Sequence, residues 1–382
     1  MADLLFKISP NIILGEYTIS RIAQYIKPFG LKFMLILDPS LKDKGLKEKI
    51  FTPLKERNVN FFVFDAIHDG ANTKEIEQAL NLARKSHVDG IIAAGGTKAM
   101  HTGFAVAALI NETNNIYDFI DNSLVAENSI PLICVPTTFR APYTLTTAVP
   151  ITDSRTHQAK LIRTQNSICK LILWDSTLAE TLDEKQKTAL ALESLCLSTE
   201  AYISQKASFF SDMFSEKATE LLGYGLNGAE SLEISTPADH LLEQGGAMAS
   251  LAAASSSVGV ANLLALTLNA RYRTPHSLAI CALFPYMLED ANSFKADRIE
   301  KIARLFGINS SELQKDQIVS AFIENIRNKL SLAGLPTHLK DLNLTMEQLA
   351  TASEDAGHLD IINTLPRSMN TDELFSLAKK AF

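Results

Sequence analysis

Residues Val88 to Ile110 read V-D-G-I-I-A-A-G-G-T-K-A-M-H-T-G-F-A-V-A-A-L-I. Val88 to Ala94 is an apolar run closed by Gly95-Gly96, and Ala99 to Ile110 reads as a helix. A strand that ends in two glycines and opens a helix belongs to a strand–helix–strand unit. The same pattern recurs on both sides. Phe33 to Leu37 is closed by Asp38-Pro39, and Asn60 to Phe64 is a further apolar run. Pro131 to Val135 leads into Pro136-Thr137-Thr138, and Leu171 to Trp174 ends at Asp175. Thr73 to Ser86 carries alanine and leucine at helical spacing, with Asn72 or Thr73 to cap it and Glu75 and Glu77 near its positive end. Apolar strands alternating with helices imply a parallel sheet covered on both faces.

The pattern changes near residue 180. Glu184 to Lys206, Asp212 to Leu222, Pro237 to Ala270, Ala296 to Leu305 and Asp316 to Leu332 all read as helix. The Ala, Ser, Gly and Leu of Gly245 to Ala270 suit a central helix against which neighbours pack closely. The expected organisation is an α/β domain over 1–180 followed by an all-α domain over 181–382. A chain of 382 residues has ample length for two cores.

A formal charge of -7, a pI near 5.7 and the lack of any Lys/Arg-rich run argue against nucleic-acid binding. Cys134, Cys169, Cys196 and Cys281 lie far apart without C-x-x-C spacing, so they read as small buried side chains. Met1 to Lys7 has no basic region before a long apolar core, which reads against a secretory signal, and no window reaches the roughly 18 apolar residues of a membrane span. The expectation is a cytoplasmic protein with no membrane partner.

Ligands of parallel α/β sheets bind outside the carboxyl ends of the strands, so the expected site is the cleft between the two domains. Gly95-Gly96 at a helix start lets backbone N–H groups approach a phosphate; the plainer reading is a tight turn. Asp38 at a strand end can accept the ribose hydroxyls of NAD and repel the extra phosphate of NADP, or simply make an Asp-Pro turn. Lys98 in a first helical turn opposes the dipole unless an anion sits there. With His101 and Arg140 it adds positive charge, fitting a phosphorylated or carboxylated ligand.

In landmarks and order the whole chain resembles the iron-containing alcohol dehydrogenases of the dehydroquinate-synthase-like superfamily. The landmarks are Ile36-Leu37-Asp38, Gly95-Gly96-Thr97-Lys98, Pro136-Thr137-Thr138, Ile151-Thr152-Asp153, Glu200-Ala201-Tyr202, Thr274-Pro275-His276 and Leu335-Pro336. The resemblance implies a Rossmann-like domain followed by a helical domain, a homodimer, and a nicotinamide cofactor contacted by Asp38, Gly95, Gly96, Thr97, Lys98, Thr137 and Thr138. NAD is the expected form, ahead of NADP.

Several family positions differ here. Thr97, Lys98, His101 and Phe104 stand where that family's glycine turn has glycine, serine, aspartate and lysine. Arg140, Pro142 and Tyr143 occupy its glycine-rich loop. The family holds Fe²⁺ or Zn²⁺ with a carboxylate and histidines, and the matching positions are Glu193, Leu197, Asn262 and His276. Glu193 and His276 can ligate, leucine cannot, and asparagine offers only a neutral carbonyl. Cys196, three residues from Glu193, is a substitute thiol or a core residue. Leu266 replaces a further histidine near the reacting oxygen.

The resemblance implies an oxidoreductase for a small alcohol or aldehyde, with His276 and His101 as catalytic candidates. A ligand-binding or regulatory relative without catalysis, and a non-redox enzyme in the same cleft, remain alternatives.

Overall fold

The apolar runs of the first half are strands. The computed structural model describes residues 8–41, 45–68, 70–228, 236–308 and 314–382; Met1 to Lys7 lies outside the described residues. The chain divides into two compact units, Lys7–Thr181 and a second from Leu182 to Phe382.

In the first unit the strands are β1 (Asn11–Leu14), β2 (Lys32–Leu37), β3 (Asn60–Phe64), β4 (Gly90–Gly95), β5 (Val125–Ala126), β6 (Leu132–Pro136), β7 (Ala148–Thr152), β8 (Ala159–Thr164) and β9 (Cys169–Trp174). The helices are α1 (Ile22–Ile26), α2 (Leu46–Glu56), α3 (Thr73–Ser86), α4 (Thr97–Leu109) and α5 (Ile116–Asp121). Six strands form a sheet in the order β1-β9-β6-β4-β2-β3, every pair parallel. Phe33 to Leu37 are all buried, as a strand covered on both faces requires.

Helix α3 turns Ile76, Ala79, Leu80 and Ala83 inward, and the Asn72 side chain accepts from Glu75 N at 3.0 Å. Helix α4 is buried from Ala99 to Leu109, mostly apolar but with His101 and Thr102 among the buried residues. A Cβ at Gly103 would lie 2.6 Å from Ala93 Cβ, so glycine lets α4 rest directly on β4.

The small sheet β5-β8-β7 escapes the sequence reading. Pro150 interrupts β7, and Lys160 and Arg163 keep β8 from reading as an apolar run.

Among the described residues the second unit contains no strand. Its helices are α6 (Glu184–Ile203), α7 (Phe209–Asn227), α8 (Ala238–Ser255), α9 (Val260–Tyr272), α10 (His276–Leu305), α11 (Lys315–Leu332), α12 (Met346–Gly357) and α13 (Thr371–Lys380). The small residues of α8 serve close packing: a Cβ at Gly245 would meet Leu222 Cγ of α7 at 2.7 Å.

Two expectations are corrected. The single helix read over Pro237 to Ala270 is two, α8 and α9, bent by 96°. Helix α10 begins at His276, twenty residues before the Ala296 start that the pattern suggests. Ala279 to Pro285 are all buried, so no polar face betrays the helix. Lys295, with φ -130°, marks a kink just where the legible half begins.

All four cysteines are free and buried: Cys134 and Cys169 on β6 and β9, Cys196 and Cys281 on α6 and α10. No single helix among the described residues is long and apolar enough to cross a membrane.

Candidate functional site

In the six-stranded sheet the chain leaves β2 outward to β3, then returns to the other side of β2 to form β4. The reversal lies between β2 and β4, the switch point at which open parallel sheets bind ligands. Asp38 follows β2, Gly95 ends β4 and Thr137 follows β6, so three expected residues meet at one sheet edge. Asp38 N donates to Ala94 O at 2.9 Å and Thr137 N to Gly95 O at 3.0 Å, fixing the edge.

Gly95 has φ 142°, and a Cβ there would lie 2.4 Å from Asp38 Cβ. No other residue fits that conformation and that gap. Gly96 is the N-cap of α4, with no side chain capping the helix. The nearest atoms to a Cβ at Gly96 are Thr138 Cγ2 at 3.7 Å and Asp38 Oδ2 at 3.9 Å, so this helix start faces open space between Asp38 and Thr138. The Asp38 Oδ1 accepts from Ser40 N and Oγ at 3.0 and 2.8 Å, which holds the carboxylate beside the helix start.

Arg140 is 6% exposed and donates from Nη1 to Thr97 Oγ1 at 3.1 Å, bringing a guanidinium to the same helix end. The Thr138 hydroxyl donates to Arg140 O at 3.3 Å. Lys98 and His101 are placed differently. Lys98 Nζ donates to His68 O at 3.0 Å, so its charge is directed at a protein carbonyl. His101 is buried one turn into α4, edge-on to the Tyr143 ring with centroids 5.3 Å apart.

In the helical unit, Glu193 of α6 meets His276 at the start of α10. Glu193 is 3% exposed, and its Oε1 lies 2.9 Å from His276 Nδ1. A carboxylate only accepts, so the hydrogen of this bond sits on Nδ1. The other ring nitrogen, Nε2, is buried and has no hydrogen-bond partner among the described residues.

The other matched positions do not join this pair. Leu197 and Leu266 are buried apolar side chains. Asn262 Nδ2 donates to Glu200 Oε2 at 2.7 Å. Cys196 is fully buried; burial, then the nearby Glu200, Cys281 and Glu193, pushes its thiol well above the ordinary range. Among the described residues no three His, Cys, Asp or Glu side chains are grouped to hold a metal ion.

Glu200 is the residue whose role the sequence reading missed. It is 1% exposed and receives the turn from α8 into α9. Its Oε2 accepts from Gly259 N at 2.8 Å and its Oε1 from Ala261 N at 2.7 Å and Asn262 N at 3.4 Å. A Cβ at Gly259 would lie 2.7 Å from Glu200 Cδ, which explains both the glycine and the break in the helix. A carboxylate inside the apolar stretch Leu195 to Ile203 must have buried partners, and that was the available signal.

A family model described as Iron-containing alcohol dehydrogenase matches residues 9–176. A second, Fe-containing alcohol dehydrogenase family, C-terminal, matches residues 188–382. The chain is 23% identical over 377 residues to 1,3-propanediol dehydrogenase of Citrobacter freundii, covering 98% of this chain and 97% of that one. It is 24% identical over 380 residues to alcohol dehydrogenase 4 of Saccharomyces cerevisiae, covering 99% and 98%. Among solved structures, a 1,3-propanediol oxidoreductase superposes with a TM-score of 0.90 at 21% identity, covering 99% of this chain and 100% of that one.

Proposed function

We propose, from the premise that this chain belongs to the iron-containing alcohol dehydrogenase family, that it is a nicotinamide-dependent oxidoreductase for small alcohols or aldehydes. The observation that carries this reading is the switch-point edge, where Asp38, Gly95, Gly96 and Thr138 surround an uncapped helix start. The backbone at Gly96 and Thr97 would receive the pyrophosphate, aided by Arg140. Thr137 and Thr138 would offer their hydroxyls to the cofactor. Asp38 accepts the ribose hydroxyls and disfavours a 2′-phosphate, so NAD is the cofactor.

Bound nicotinamide supplies or accepts the hydride. His276 Nε2, buried and unpartnered, is the atom offered to the hydroxyl of the alcohol, with Glu193 fixing the ring. His101, edge-on to Tyr143, is the second histidine of this reading. The residues at the family's metal positions do not fit Fe²⁺ or Zn²⁺: two are Leu197 and Asn262, which leaves Glu193 and His276, one short of the three protein ligands a catalytic site needs. No step is therefore routed through a metal. The active form in this reading is a homodimer.

A second reading, a ligand-binding relative without turnover, is favoured by the same apolar replacements at Leu197 and Leu266. Fluorescence titration and an aldehyde panel separate the two. NADH is expected to bind at least about 10-fold tighter than NADPH, since a like-charge contact costs several kcal/mol. Asp38→Asn keeps the shape beside Gly95 and is expected to narrow that gap about 10-fold, one hydrogen bond to a charged group. NADH oxidation with some aldehyde supports the enzyme; binding without turnover supports the second reading. Failure to bind either nucleotide overturns the cofactor site.

A further inference from the structure

We infer that this chain holds no resident Fe²⁺ or Zn²⁺, because the metal position has become a hydrogen-bonded junction of three helices in which Leu197 and Asn262 exclude the ion. The inference rests on the family membership above, and on neither nucleotide binding nor turnover.

Catalytic zinc normally takes three protein ligands, drawn from imidazole nitrogens, carboxylate oxygens and thiolate sulfurs turned toward one point. Here only two ligating side chains remain, one short of three, and they are hydrogen-bonded to each other: His276 Nδ1 donates to Glu193 Oε1 at 2.9 Å. Leu197 lies one turn beyond Glu193 on the same face of α6, so a methyl-bearing side chain occupies the place from which a third ligand would reach. It is 1% exposed.

Asn262 is engaged elsewhere. Its Nδ2 donates to Glu200 Oε2 at 2.7 Å, and its own backbone N–H donates to Glu200 Oε1. The amide orientation follows from chemistry: turned over, its carbonyl would face a carboxylate oxygen. What it leaves is a neutral carbonyl oxygen, a poor donor to Fe²⁺ or Zn²⁺. The side chain therefore ties α9 to α6 through Glu200, and its hydrogen bond stabilises the turn in place of an ion. Cys196 does not supply the missing donor: its side chain is buried, and with Glu193 and His276 it does not form a three-ligand group.

The test uses the full-length protein. Metal content is measured after purification by elemental analysis, and Zn²⁺ and anaerobic Fe²⁺ are then titrated calorimetrically after dialysis against a chelator. The wild type is expected to carry far less than one metal per chain. The double variant Leu197→His/Asn262→His is expected to bind Zn²⁺ at least roughly 100-fold tighter than wild type, as restoring ligands should exceed what outer partners contribute. If circular dichroism shows the double variant misfolded, Asn262→His alone carries the comparison, with an expected gain of about 10-fold. One tightly held Fe or Zn per wild-type chain overturns the inference. So does a folded variant that binds no tighter than wild type. Neither measurement reads nucleotide binding, so failure here leaves the cofactor reading standing, and the reverse also holds.

Discussion

Gly96→Asp is expected to weaken NADH binding roughly 100-fold, close to 3 kcal/mol, while leaving the melting temperature unchanged or slightly higher. The two effects separate because of where Gly96 sits. Its backbone is extended and a Cβ there meets nothing closer than 3.7 Å, so the fold accepts a side chain. Aspartate is a better N-cap than glycine by a few tenths of a kcal/mol, so α4 gains if anything. The same carboxylate occupies the anion position of the helix start and repels a pyrophosphate. Fluorescence titration with NADH and a parallel thermal melt read both quantities. Undiminished affinity would show that the nucleotide does not lie across this helix start.

Glu200→Ala is expected to destabilise the helical unit by about 4 kcal/mol, lowering its melting temperature by roughly 10 °C. The carboxylate accepts from Gly259 N, Ala261 N, Asn262 N and Asn262 Nδ2, all buried. Alanine strands those donors without water at the 96° turn from α8 to α9. The wild type should also show a dependence on pH. Burial raises the Glu200 carboxyl above the usual range, opposed by the Asn262 amide and the backbone N–H groups of Gly259, Ala261 and Asn262. Below the ordinary glutamate pKa both states hold the proton and no penalty arises. As pH climbs, the unfolded chain releases its proton first, so stability falls until the folded carboxyl ionises too. Glu200→Gln, which cannot titrate, should lack this fall. Urea unfolding followed by the far-UV helical signal measures each variant, and a loss under about 1 kcal/mol for alanine would remove Glu200 from this role.

What could be read from the chain followed a physical rule. Within β2, β4, β6 and β9 the stretches 33–37, 91–94, 132–135 and 171–174 are buried on both faces, so they stand out as apolar runs. Helix α3 has one wet face and one dry, and its cap Asn72 sits where the pattern puts it. Elements without such contrast were missed or misjoined. The first half of α10 is buried all round, and β8 is half polar. The bend at Gly259 depends on Glu200, fifty-nine residues away, and no local pattern carries that contact. That Asp38, Gly95 and Thr137 share one edge of the sheet was legible because each ends or follows a strand. The Glu193–His276 pair was legible as two ligating residue types, but their bonding to each other is a tertiary fact.

The four buried cysteines give the molecule an internal clock. Cys134 and Cys169 lie in the sheet, 3.7 Å apart between sulfurs, while Cys196 and Cys281 lie among the helices. A thiol reagent added to the native protein can modify each pair only when its own unit opens. Two labelling rates, assigned by peptide mapping, would therefore report the opening of the sheet and of the helices separately. A single common rate would mean that the two units open together, and immediate modification of any one thiol would mean that its burial is not persistent.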